Sequence, residues 1–135
     1  MLPVDAATIR VFLHVLGASI WVGGQIVLAG VVPVVRADGG GDTVRAVARR
    51  FQWIAWPGFV LLLATGVWNL AAVHVSDQSG EYITTLFVKL LLVGLSGAAA
   101  FAHIIVKRPA AKGIWASLAL LAALGAAFLG VLLAG

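Results

Sequence analysis

The chain has 135 residues, 62% of them hydrophobic and 10% charged, with a mean hydropathy of +1.09. Soluble and disordered classes are excluded, because an ordinary globular surface carries about 25% charged residues. The formal net charge is +4, but basic residues flanking apolar runs are explained first by membrane orientation, so nucleic acid is not an expected partner. Cysteine is absent, which removes disulfides, thiolate metal sites and cysteine nucleophiles. Any metal or cofactor must be held by His, Asp, Glu, Lys or backbone.

Four helices long enough to cross about 30 Å of hydrocarbon are predicted, over about 9–35, 51–73, 83–106 and 114–134. The first has its apolar run from Val11 to Val35. It lacks a positive leader and exceeds a usual signal-peptide core, so it is expected to be retained. Arg10, His14, Trp21 and Gln25 follow one another at spacings of four, seven and four, a single stripe on a regular helix, and Gly17 and Ala18 allow close approach beside His14. Segment Ala37 to Arg50 carries Gly39, Gly40 and Gly41 and reads as a flexible loop running into a short amphipathic stretch.

On the second helix Gly58, Leu62, Thr65 and Asn69 form a weaker polar face, and Pro57 with Gly58 predicts a kink. His74 to Tyr82 is polar and turn-rich. The third helix places Tyr82, Thr85, Lys89, Ser96 and His103 on one face, and Lys107, Arg108 and Pro109 end it. The fourth has no ionisable residue beyond Trp115. Its stripe of Ala116, Ala119, Ala123, Ala126 and Gly130 suits tight packing, including packing against a second copy of the chain as a homo-oligomer.

Short connections make sequential helices antiparallel neighbours. Arg36, Arg45, Arg49 and Arg50 fall between helices one and two, and Lys107, Arg108 and Lys112 between three and four, whereas the opposite side offers only Arg10. The expected fold is therefore an all-α integral membrane protein: one domain over residues 1–135, a four-helix antiparallel bundle in the lipid bilayer of a prokaryotic inner membrane, with both termini outside.

Ionisable groups inside a bilayer need a reason, since each costs about 2.5 to 3.5 kcal/mol even on lenient scales. Helical rise puts His14 and Lys89 each about 10 Å below the outer surface, where they are expected to meet, with Asn69 and His74 nearby. Gln25 and His103 form a sparser inner pair. A heme b needs one or two neutral imidazoles, a slot lined by small and aromatic residues, and cations for its propionates. His14 supplies the ligand, with Trp21 and Asn69 as lining. Arg10 or His74 suits a propionate, His74 or His103 a second axial position, and Lys89 either a propionate or proton and substrate handling.

Copper is the rival, collected by His14 and His74 with Asp77 or Glu81, although Cu(I) prefers sulfur ligands and Met1 is the one methionine. The structural alternatives are an imidazole of His14 bonded to a helix carbonyl or Asn69, a snorkelling Lys89, interfacial His74 and His103, a packing role for Trp21, and a Gln25 that bonds across helices. A non-catalytic membrane scaffold is the third reading. Neither the electron partner nor enzymatic status is readable from these residues.

The runs FLHVLGASIWVGG (Phe12 to Gly24), RRF (Arg49 to Phe51), ATGVWNL (Ala64 to Leu70) and YITTLFVKLLLV (Tyr82 to Val93) resemble the copper-resistance D (CopD) family of membrane domains. Their order also resembles that of the related HemJ-type protoporphyrinogen oxidases. The resemblance covers roughly Ile9 to Lys107. Its CopD side implies copper uptake across the inner membrane. Its HemJ side implies a heme-dependent oxidoreductase with a helix-one histidine as heme ligand and a functional helix-three lysine, which map to His14 and Lys89.

Overall fold

Asp5 starts the first helix: its carboxylate accepts from the Thr8 amide and the Thr8 hydroxyl, each at 2.7 Å. Those hydrogen bonds favour the ionised form and hold the carboxyl below its usual value. The computed structural model describes residues 1–135, and every element it contains is helical. In chain order these are α1 (Ala6–Ala18), a π-helical turn (Ser19–Gly23), α2 (Gly24–Ala37), α3 (Gly41–Ala72), a 3₁₀ turn (Val75–Asp77), α4 (Gly80–Ile105) and α5 (Pro109–Ala134). The π turn joins α1 to α2 without a break, so Ala6–Ala37, α3, α4 and α5 are four helices long and apolar enough to cross a membrane. Within the expected single domain, contacts divide the chain into two compact units, Met1–Val73 and His74–Gly135.

The first unit differs from expectation at its turn. The anticipated loop over residues 37–50 shrinks to Asp38–Gly40, and α3 starts at Gly41, ten residues before the predicted start at Phe51. Gly39 alone has a left-handed backbone, with φ 79°. A Cβ on Gly40 would lie 2.8 Å from the Val35 carbonyl oxygen, so the chain reverses where no side chain fits. Beyond the turn the alanines and arginines are good helix formers, and Val44 is buried, which packs the extension down. The helix therefore continues.

Further along, α1 and α3 approach until backbones touch. A Cβ on Gly17 would lie 2.9 Å from the Gly58 carbonyl oxygen and 3.0 Å from the Leu62 nitrogen, while one on Gly58 would strike the Ile20 side chain at 2.7 Å. Gly58 thus serves helix contact, and α3 stays one element from Gly41 to Ala72 despite Pro57.

The π turn is the other departure. It carries Trp21 into the core, 4% exposed, with ring centroids 5.2 Å from Trp56 and 4.3 Å from Phe59. Gln25 Nε2 donates to the Trp21 carbonyl at 3.0 Å, one turn back along the same chain segment. Gln25 therefore bonds within its own helix, not across helices. The regular period behind the predicted stripe of Arg10, His14, Trp21 and Gln25 ends at Ala18.

In the second unit Ser79 caps α4, accepting from the Tyr82 amide at 3.2 Å, and Pro109 occupies the first turn of α5, where its missing N–H costs nothing. The small-residue stripe of α5 packs within the hairpin. Ala119, Ala123 and Ala126 are buried, as are Ser96 and Ala99 of α4, and a Cβ on Gly125 would touch the Leu92 side chain at 3.0 Å. Ser96, 1% exposed, donates across the interface to the Ala119 carbonyl at 2.8 Å. Ser96→Ala is expected to cost about 0.6 kcal/mol, the average for interhelical hydrogen bonds in membranes, and at most about 1.7 kcal/mol. Reversible unfolding in mixed micelles reads it, and an unchanged midpoint would show that the bond contributes nothing.

Candidate functional site

Residues four apart on α1 meet residues four apart on α3. Arg10 and His14 share one face of α1, Thr65 and Asn69 one face of α3, and the antiparallel pairing joins them as two rungs. In the first rung Arg10 Nε donates to Asn69 Oδ1 at 2.7 Å. The guanidinium is anchored through Nε, and its two Nη groups make no hydrogen bond to the chain. In the next rung His14 Nδ1 lies 2.9 Å from Thr65 Oγ1.

The tautomer of His14 follows from the threonine. Thr65 Oγ1 has one proton and lies 2.7 Å from the Leu61 carbonyl oxygen and 3.2 Å from that of Leu62. Both oxygens are acceptors only, so the proton goes to the backbone and Oγ1 accepts from His14 Nδ1–H. In the neutral ring Nε2 then carries the basic lone pair. Thr65 is 3% exposed, so water does not compete for this bond. Gly66 adds shape: a Cβ there would sit 3.6 Å from His14 Cε1, placing the ring beside a residue with no side chain.

Each remaining candidate has its own local setting. Trp21 belongs to the aromatic cluster with Trp56 and Phe59, two turns along from His14. His74 is exposed at the start of the 3₁₀ turn, where its carbonyl accepts from the Asp77 amide at 3.0 Å. His103 sits in a reciprocal clasp: its Nδ1 donates to the Lys112 carbonyl at 2.8 Å, and Lys112 Nζ donates to the His103 carbonyl at 3.0 Å. That clasp ties the end of α4 to the start of α5. Lys89 is half-buried in the second unit. Its ammonium lies against Gly130 of α5, where a Cβ would come 3.2 Å from Nζ. The polar face of α4 is thus directed at α5 through Lys89, Ser96 and His103, and α5, which lacks ionisable residues beyond Trp115, provides Gly130 and backbone carbonyls to receive it.

Arg10 with Asn69 is the candidate pair brought together within one unit. His14 meets Thr65, in place of the Asn69 or helix-carbonyl partner considered from the sequence. Thr65, placed by the sequence on a polar face of its helix, is the partner of His14 that sequence reasoning did not single out. Its signal was present, since Thr65 and Asn69 repeat the spacing of His14 and Arg10. No group of three or more His, Cys, Asp or Glu side chains is assembled anywhere in the chain. No protein-family model, curated protein or solved structure matches the chain.

Proposed function

We propose that this chain is a heme b-binding protein of a prokaryotic inner membrane with a redox role, in which Nε2 of His14 is the axial ligand. The observation that carries the proposal is the bond from His14 Nδ1–H to Thr65 Oγ1. A ligating imidazole needs its second nitrogen held by an acceptor, which fixes the ring and raises the basicity of the ligating nitrogen. A bare copper ion asks the protein for several ligands, and no group of three is assembled. A porphyrin brings four nitrogens of its own and asks for one or two.

Arg10, anchored by Asn69 one turn above His14, suits a propionate, because its paired Nη donors match a carboxylate. Heme b, when bound, supplies one-electron redox chemistry. Lys89 is the chain's proposed group for proton or substrate handling. The resemblance of the His14 and Lys89 segments to HemJ-type proteins supports the same reading. Seven basic residues on the two connections and the helix ends beside them support the orientation with both termini outside.

Protein purified from heme-supplied cells is expected to show a Soret band with heme near one per chain. Absence of the band overturns the proposal. Stoichiometric copper without heme would replace it with the CopD-type reading, and a stable cofactor-free oligomer with the scaffold reading.

A further inference from the structure

At 1.5 Å per residue α3, with 32 residues, is about 48 Å long, against a hydrocarbon core of about 30 Å. Its apolar part accounts for the core: the stretch from Trp53 to Ala72 rises about 30 Å. Trp53 is 78% exposed, as suits an aromatic ring at the membrane boundary. The three turns from Gly41 to Arg50 lie beyond that boundary, and buried Val44 holds them in place.

Three arginines on this extension differ in setting. Arg45 stands about 12 Å beyond Trp53, past a headgroup layer of about 5 to 8 Å, and is paired with Asp42 one turn away. Arg49 and Arg50 stand about 5 to 6 Å beyond Trp53, at headgroup depth. Both are exposed, and neither has a carboxylate partner. Their spacing from Trp53, four and three residues, puts them one turn above the ring on its own side of the helix.

We propose that Arg49, Arg50 and Trp53 form a binding site for the phosphate-bearing headgroup of an anionic lipid, with the guanidinium groups on the phosphate and the indole at the acyl boundary. Guanidinium and phosphate match as bidentate partners. A basic residue at an anionic surface strengthens binding about fivefold. The site is independent of the heme reading and survives its failure.

The test reconstitutes the full chain in vesicles of equal parts phosphatidylcholine and phosphatidylglycerol, then counts the lipids retained on release into detergent by native mass spectrometry. The expected result is phosphatidylglycerol retained about fivefold or more over phosphatidylcholine. That preference should vanish in the Arg49→Gln/Arg50→Gln double variant, persist in Arg45→Gln, and withstand inorganic phosphate equimolar with the lipid. Equal retention of the two lipids by the wild-type chain overturns the proposal, and so does an equal loss in Arg45→Gln. Displacement by inorganic phosphate would reassign the site to free anions. Should the double variant fail to fold, Arg49→Lys/Arg50→Lys keeps the charge and removes the fork, so a reduced but surviving preference is expected from it.

Discussion

Replacing His14 with alanine is expected to abolish the Soret band of the purified protein, and added imidazole is expected to restore part of it. The variant removes the proposed axial nitrogen and leaves a space that free imidazole fits, while the neighbouring rung of Arg10 and Asn69 keeps its hydrogen bond. Thr65→Val separates ligation from orientation. Valine fills the same volume but accepts no hydrogen bond, so His14 loses the acceptor that fixes Nδ1–H. Loss of such a supporting partner lowers affinity about 10- to 100-fold, read by heme titration of the apoprotein. Thr65→Ser, which retains the hydroxyl, should behave as wild type. His103→Ala should loosen the α4–α5 hairpin, because the ring's Nδ1–H ties the end of α4 to the Lys112 carbonyl. An unchanged band in His14→Ala would remove the proposed ligand, and a Thr65→Val protein with wild-type heme affinity would remove the role of the threonine.

What the sequence made readable was set by periodicity and length. The four apolar runs marked the four helices, and the spacing of Arg10 and His14 placed them on one face because it spans a regular stretch of helix. Trp21 and Gln25 escaped the same logic. The π turn at Ser19–Gly23 breaks the 3.6 period, and no residue type there announces it. Thr65 was visible as a polar position on its own helix, yet the register between α1 and α3 depends on the close approach at Gly17 and Gly58, which neither helix encodes alone. The three consecutive glycines suggested a long loop, although only Gly39 needs a left-handed backbone. The direction of α4's polar face was hidden for a further reason. A stripe of small residues on α5 reads as a packing surface, and its capacity to receive Lys89 at Gly130 and Ser96 at the Ala119 carbonyl lies in atoms common to every residue.

Gly17→Ala is expected to destabilise the first unit by about 1 to 3 kcal/mol, the usual cost of forcing an extra group into a packed contact. The new methyl would meet backbone, at 2.9 Å from the Gly58 oxygen and 3.0 Å from the Leu62 nitrogen, and backbone in a helix cannot swing aside as a side chain can. Gly30→Ala and Gly94→Ala are the controls. Neither new Cβ has an atom within 4 Å, so only helix propensity acts, and it favours alanine by up to about 1 kcal/mol. Gly130→Ala falls between the two, since the neighbour that must yield is the flexible tip of Lys89. The comparison is made by reversible unfolding in mixed micelles, and a Gly17→Ala midpoint equal to that of Gly30→Ala would remove the close crossing of α1 and α3. A functional consequence follows from the same geometry. Gly17 is three residues from His14 on α1, and Leu62 three from Thr65 on α3, so a methyl that separates the helices there also stretches the bond between His14 and Thr65. Gly17→Ala should therefore weaken heme binding while leaving ligand and acceptor chemically intact. Arg10, one turn farther from the new methyl, should keep its bond to Asn69 better than His14 keeps its own.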